Sequence, residues 1–418
     1  MEQKPTLKYK NLAMNTQRDL LATWYGKLAT AEETKLPIAY MLVPGSVSEL
    51  VRLMGFEIVF PEINALQCGM KKTAGKMILK AEDLGYSSDV CGYVKNEVGL
   101  FLTDRESPTG KLPAPDLLVC NYVGCTTFVK WFEALASYYE VPLFMLDAPY
   151  IRGDGITLHQ RDYFVQQLRD LADLCGSISG AKYDEDKLKE MLRYSKEAED
   201  LWVKILHSAK HVPTPIDSYF EAVFFMSPVF LMRGMPETVE FYKNAWLEVE
   251  ERMQLGIGPL PEEKVRAVIE GPPAWPHFRA FWDLFKKWGV VSVASTYSKV
   301  GGLFDLGFRH DPDHPLESIA EYCMGCYTNI SLPKRAKLLK QYLEEYSADC
   351  LVIHSVKSCR SFSMGQADMR EYFMHEVNVP TLQIESDLAD PRYFQRAQLM
   401  NRIDAFFESL EHRRLTAV

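Results

Sequence analysis

The chain carries one supersecondary pattern twice, and this duplication restricts the fold more than any other feature of its 418 residues. The first copy opens with an apolar run at 38–43, followed by Pro44-Gly45. A helical pattern over 46–54 then leads through Gly55 to a second apolar segment at 57–60. The second copy reads 265–269, then Gly271-Pro272-Pro273, a helical pattern over 274–288, Gly289, and a strand-like 290–294. Further on, 116–120 and 349–354 have the look of short buried strands, and Cys125 and Cys359 each lie five residues beyond their ends. Helical segments follow both cysteines, at 126–139 and 364–377, and each runs to a Val-Pro step, Val141-Pro142 and Val379-Pro380. Each Val-Pro begins a strand ending in an acid, Asp147 and Glu385. Strands alternating with helices imply βαβ units and parallel sheets.

The expected fold is α/β, with two related parallel-sheet domains of Rossmann or flavodoxin-like type at 37–160 and 262–392. The spacing predicts a helical segment at 1–36, a helical insertion at 161–261 and a C-terminal helix at 393–418. Within the insertion, 184–210 and 237–255 keep a helical period, broken between them by Pro213-Thr214-Pro215.

Sites in open parallel sheets form outside the carboxyl ends of the strands, which is where Cys125 and Cys359 fall. The match extends upstream: Cys91 precedes Cys125 by 34 residues and Cys326 precedes Cys359 by 33. Cys91, Cys125, Cys326 and Cys359 are therefore expected to converge on one cleft, with Cys323 beside them. Cys68, Cys120, Cys175 and Cys350 read as core thiols. The nine cysteines are an odd number. With 47 basic and 56 acidic residues the formal charge is −9, which argues against binding nucleic acid through phosphate neutralisation. The longest mostly apolar stretch, 222–232, has 11 residues, against the roughly 20 of a membrane span, and residues 1–19 lack the apolar core of a signal peptide. A soluble cytoplasmic chain is expected, with reduced thiols rather than a disulfide framework. Taken alone, the thiols are open to three readings: apolar packing, a redox pair at Cys323-x-x-Cys326, or metal ligation. Four thiolates complete a cubane and three leave one iron open; a structural zinc site would want a second close pair, and none exists. There is no G-x-x-x-x-G-K-[ST] loop and no G-x-G-x-x-G after a strand.

Several strings resemble the benzoyl-CoA reductase/2-hydroxyacyl-CoA dehydratase family, over about 37–407. They are Asp89-Val90-Cys91 with Tyr93-Val94-Lys95, Pro113-Ala114-Pro115-Asp116, Gly124-Cys125-Thr126 with Lys130-Trp131-Phe132-Glu133, and Lys357-Ser358-Cys359. Others resemble the B-type subunit of its ATP-dependent class I reductases: Pro61-Glu62 with Asn64-Ala65 and Gln67, Tyr297 through Leu303, Gly307 through Pro312, Tyr322 through Asn329, and Ser361-Phe362-Ser363. The resemblance implies a [4Fe–4S] cluster on Cys91, Cys125 and Cys359, the positions that match the family's cluster cysteines. It also implies a related second catalytic subunit, separate iron–sulfur ATPase subunits that supply single electrons, ferredoxin as the indirect source, and an aromatic CoA thioester as substrate. A missing P-loop agrees with ATP chemistry on another polypeptide. Cys323 and Cys326 depart from the dehydratase members and are expected to place at least one thiol within reach of an iron, in a larger or a second cluster. Two alternatives share the fold: a double-cubane low-potential reductase or electron carrier, and a 2-hydroxyacyl-CoA dehydratase subunit.

Dearomatising a benzoyl thioester takes two electrons and two protons. It needs donors to the thioester carbonyl, an acid to deliver protons, and apolar walls against water. Glu62, just after the strand at 57–60, and His354, at the end of the strand at 349–354, are the candidate proton-handling groups. Tyr93, Tyr122, Trp131, Tyr327 and Phe362 are the aromatic residues placed to wall such a pocket.

Overall fold

The structure, a computed structural model, describes residues 7–299 and 307–416. Ten strands occur among them: β1 Ile38–Met41, β2 Glu57–Val59, β3 Glu106–Ser107, β4 Gly110–Lys111, β5 Leu117–Tyr122, β6 Leu143–Asp147, β7 Val265–Glu270, β8 Val290–Ser295, β9 Cys350–Val356 and β10 Thr381–Ser386. β3 and β4 form a small antiparallel hairpin. The others build two four-stranded parallel sheets of order β2-β1-β5-β6 and β8-β7-β9-β10. The orders are identical, so the duplicated pattern folds into duplicated topology.

One aspartate device appears in both sheets. Asp116 donates its N–H to the Ile38 carbonyl at 2.8 Å, and its Oδ2 accepts from Ile38 N at 2.8 Å. Asp349 does the same to Arg266, at 2.8 and 2.7 Å. Each aspartate thus clamps the start of the third strand to the first strand of its sheet and sets the register there.

The strands are apolar on both faces because helices cover both sides. Leu117 through Cys120 and Cys350 through Ile353 are fully buried. Helices Leu158–Ser179, Glu185–Ser208 and Pro236–Gln254 form the region between the sheets, and Arg396–Thr416 closes the chain. Asp184 caps the second of these through Lys187 N at 3.1 Å. One continuous apolar core runs through both sheets and the helical region. Arg233 is sealed within it, with Nε 2.8 Å from Glu49 and Nη2 2.7 Å from Glu199. His310 Nδ1 lies 2.9 Å from Glu199, and the Tyr322 ring packs 4.1 Å from the guanidinium. Burial pushes Glu199 up, but His310 and Arg233 together hold it below the usual carboxylate range.

Some elements differ from expectation. β5 and β9 run two residues further than the hydrophobic runs suggest, so Cys125 and Cys359 each lie three residues, not five, beyond the strand end. The helix expected over 364–377 is broken: Arg360–Ser363 and Gln366–Glu371 flank Gly365, and the last turn widens at Tyr372–Glu376. Gly365 sits at φ +80°, and a Cβ there would come 2.7 Å from the Leu332 side chain, so the turn that interrupts the helix requires glycine in both conformation and space. The expected string from Tyr297 to Leu303 lies outside the described residues from Val300 onward.

Candidate functional site

A cavity with about 1040 Å³ of empty space, part of it open to solvent, lies between the carboxyl ends of the two sheets. The loops after seven of the eight sheet strands reach it: Pro44 after β1, Glu62 after β2, Cys125 after β5, Pro272 after β7, Tyr297 after β8, Cys359 after β9 and Leu388 after β10. This is the crevice parallel sheets reserve for ligands, here shared by two sheets. A further part of its wall is Val223, Met226, Phe230 and Leu231. They belong to the apolar stretch 222–232, which folds into the short helices Ala222–Phe225 and Ser227–Leu231. Among the described residues no helix is long and apolar enough to cross a membrane; this stretch lines a cavity.

Cys91, Cys125 and Cys359 all line the cavity, and all three are partly exposed, unlike the other six cysteines. Each occupies the residue immediately before a helix: Gly92–Phe101, Thr126–Tyr139 and Arg360–Ser363. The free N–H groups of a first helical turn point at such a side chain. Burial raises all three thiols above their ordinary range, Cys359 to about 12, and the neighbouring sulfurs raise Cys91 and Cys359 further. Backbone N–H groups oppose this: that of Tyr93 acts on Cys91, those of Thr127 and Phe128 on Cys125, those of Phe362 and Ser361 on Cys359. Burial thus disfavours the thiolate form at all three positions and the helix-start N–H groups favour it.

Hydrogen bonds across the two halves hold the three loops. Gly92 N donates to Ser358 Oγ at 3.2 Å, joining the Cys91 helix to the Cys359 loop. Ser361 Oγ donates to the Gly124 carbonyl at 3.3 Å and Thr328 Oγ1 to the Val123 carbonyl at 2.8 Å. Asp387 accepts from Ser358 N at 3.0 Å and from Ala389 N and Asp390 N at 2.9 Å. The acid that governs this loop is thus Asp387, two residues beyond the Glu385 singled out by sequence. Gly124 adopts φ +77°, and a Cβ there would lie 1.9 Å from the Thr328 carbonyl oxygen. Gly124→Ala is expected to destabilise the fold by roughly 2–4 kcal/mol through strain and collision; a denaturant midpoint equal to wild type would refute this contact.

Glu62 lines the cavity at the start of helix Pro61–Met70, and its Oε2 accepts from Val43 N at 2.6 Å. Burial raises its carboxyl to about 7, opposed by that bond. Folded Glu62 holds its proton up to about pH 7 while the unfolded group releases it near the ordinary 4.5. The folded state binds more protons in this window, so its stability falls as pH rises from 4.5 to 7. Glu62→Gln is expected to gain on wild type by of order 1 kcal/mol between those limits, discounted for solvent in the cavity. Parallel stability curves for the two iron-free proteins would overturn the assignment.

On the cavity wall Tyr93, Tyr297 and Trp275 interact through side-chain hydrogen bonds, while the buried Trp131 Nε1 has no partner among the described residues. Tyr297 stands edge-on to Trp275 with ring centroids 5.9 Å apart. Sequence reasoning singles out neither Tyr297 nor Trp275 as a wall residue; both follow strand ends, which is the only signal the residues offer.

His354 does not reach the cavity. It is fully buried, with Nδ1 2.6 Å from the Pro272 carbonyl and Nε2 2.6 Å from Ser386 Oγ. A carbonyl only accepts, so Nδ1 carries the proton and Nε2 accepts from the hydroxyl. Burial lowers the ring to about 4 and keeps it neutral. The expected aromatic wall is partly met: Tyr93, Trp131 and Phe362 line the cavity, whereas Tyr122 and Tyr327 do not. Cys323 and Cys326 also lie behind the wall. Both are fully buried, donating to the Ser46 carbonyl at 3.8 Å and the Cys323 carbonyl at 3.3 Å. Cys326 precedes only a short turn, Tyr327–Asn329, where Cys91 precedes a full helix, so its match to Cys91 in sequence is not a match in exposure.

Among the described residues no three His, Cys, Asp or Glu side chains are grouped closely enough to hold a single metal ion. In a cubane each thiolate bonds a different iron, so its sulfurs stand around a hole instead of a point. Three half-exposed thiols on one cavity, backed by helix N–H groups, fit that requirement.

The family model for the 2-hydroxyglutaryl-CoA dehydratase D-component matches residues 46–410. The chain is 45% identical to the B subunit of benzoyl-CoA reductase from Thauera aromatica, over 97% of this chain and 96% of that protein. It is 29% identical to the (R)-2-hydroxyisocaproyl-CoA dehydratase alpha subunit of Clostridioides difficile, over 95% of each. It is 27% identical to the alpha subunit of lactoyl-CoA dehydratase from Anaerotignum propionicum, over 94% of this chain and 96% of the other.

Proposed function

Because the chain belongs to the benzoyl-CoA reductase/2-hydroxyacyl-CoA dehydratase family, we propose that it is the iron–sulfur catalytic subunit of an aryl-CoA reductase. The observation that carries this reading is the convergence of Cys91, Cys125 and Cys359, from three helix starts in both halves, on one largely apolar cavity that also holds Glu62. The proposed ligands are those three thiolates. When bound, a [4Fe–4S] cluster on them supplies electrons one at a time at low potential.

The chain's own groups do the remainder. Val223, Met226, Phe230 and Leu231 keep water from the ring. Trp275 and Tyr93, both on the cavity wall, are the proposed donors for the thioester oxygen as negative charge grows on it. Glu62, protonated up to about pH 7, delivers a proton to the ring and is recharged through the open side of the cavity. Two electrons and two protons convert the aromatic thioester to a cyclic diene thioester. His354 is a positioning residue that holds the Pro272 carbonyl against Ser386. The electrons come from separate iron–sulfur ATPase subunits, in an anaerobic cytoplasm, to a heterodimer of this chain with a related subunit. The relatives' naming as subunits supports a partner.

The test is anaerobic turnover by the copurified complex with benzoyl-CoA, ATP and a ferredoxin-level donor. Loss of aromatic absorbance with formation of the dienoyl thioester is the expected result. Dehydration of a 2-hydroxyacyl-CoA without ring reduction would replace this reading by the lyase one.

A further inference from the structure

A second, wider cavity with about 1820 Å³ of empty space lies against the first. The two share Ile63, Leu66, Val223, Ser227, Leu231 and Trp275, so one layer of mostly apolar side chains divides them. The outer cavity has a different character. Lys71 and Lys72 follow helix Pro61–Met70, Arg279 lies on helix Phe278–Lys286, and Arg396 starts the C-terminal helix; all four line it and all are exposed. None of the four forms an ion pair among the described residues. The single acid on this wall, Asp283, is engaged by Lys286 at 2.6 Å. His277, also on the wall, adds no charge: its ring is stacked on Phe394 at 4.4 Å and bonded to the Pro391 carbonyl. In a chain of formal charge −9, four cations without acidic partners around one opening make a local positive field. Arginine and lysine left without acids in a concave site suit phosphate groups. Tyr25 on the same wall is partly exposed and offers aromatic surface to a base.

We infer that the outer cavity binds the phosphorylated nucleotide end of the acyl-CoA substrate, through Lys71, Lys72, Arg279 and Arg396. The uncharged pantetheine arm then runs along Ser227 and Trp275, which line both cavities, and places the thioester among the cysteines. This rests on the proposed function for the substrate class, but it makes a separate claim about charge. A 3′-phosphoadenosine diphosphate carries several negative charges, whereas pantetheine carries none, so the two ends of one ligand respond differently to the same substitution.

The experiment titrates free CoA, 3′-dephospho-CoA and pantetheine against the purified complex, wild type and Lys71→Glu/Lys72→Glu, with Arg279→Gln as a milder second variant. Iron content and circular dichroism confirm that the variants are folded. Expected results are CoA binding at least about tenfold weaker in the double Glu variant, a smaller loss for dephospho-CoA, unchanged pantetheine binding, and wild-type CoA affinity that falls with added salt. CoA binding equal to wild type in both variants overturns the inference. So does equal loss of CoA and pantetheine, which would mark a collapsed or blocked entrance. The two proposals separate cleanly. Charge-dependent CoA binding without aryl-CoA turnover leaves the entrance standing and removes the proposed reaction; turnover by charge-reversed variants at unchanged KM does the opposite.

Discussion

Replacing Cys91, Cys125 or Cys359 singly by Ala is expected to strip most of the bound iron and reduce turnover by more than the roughly 10–100-fold that loss of a partner outside the ligand shell produces. Each of these thiols lines the cavity at a helix start, where backbone N–H groups favour its thiolate against burial. Cys175→Ala and Cys350→Ala serve as controls, because both thiols are buried in the core and their loss affects packing alone. The Cys323→Ser/Cys326→Ser double variant belongs in the same series. Iron per chain separates ligand from neighbour there, and the burial of both thiols against backbone carbonyls leads us to expect unchanged iron. Iron retained in all three single variants, with unaltered visible absorption, would end the ligand assignment.

The second large effect lies away from the cavity. Arg233→Ala is expected to destabilise the chain by about 3–5 kcal/mol, the usual consequence of leaving a buried charge uncompensated. Glu49 and Glu199 are both fully buried and both bonded to Arg233. Without the guanidinium, burial of Glu199 is opposed by His310 alone, so Glu199 takes up a proton more readily and the deficit shrinks as pH falls. Denaturant midpoints at two pH values measure it. A loss below about 1 kcal/mol at neutral pH would show that the network is relieved by water or by His310.

Much of the scaffold was legible in the residues. Helix Thr126–Tyr139 has the predicted bounds, because an amphipathic run between a cysteine turn and a Val-Pro step leaves little freedom. The two sheets were legible because their strands are short apolar runs punctuated by Gly and Pro, repeated in the same order. Glu62 was legible as an acid just beyond a strand end. The segment at 364–377 was not, since the left-handed turn at Gly365 packs closely against Leu332, on a helix over thirty residues away in sequence. Nor was the fate of 222–232: an apolar stretch too short for a membrane is silent about which surface it covers. His354 carries the right chemistry at a strand end, but β9 continues through Val356 and its pleat turns that side chain inward to Ser386.

The sequence by itself determined the local periods, the duplication and the three cysteine positions, because these depend on spacings of a few residues and on strand-to-helix turns that chemistry restricts. Only the tertiary structure decided which of five candidate cysteines reach the cavity, that Asp387 rather than Glu385 holds the Cys359 loop, and that four cations from three distant segments gather around a second opening. These properties depend on the distance and direction between residues remote in the chain. Burial, charge pairing and exposure arise only once the two sheets and the helices between them pack against one another.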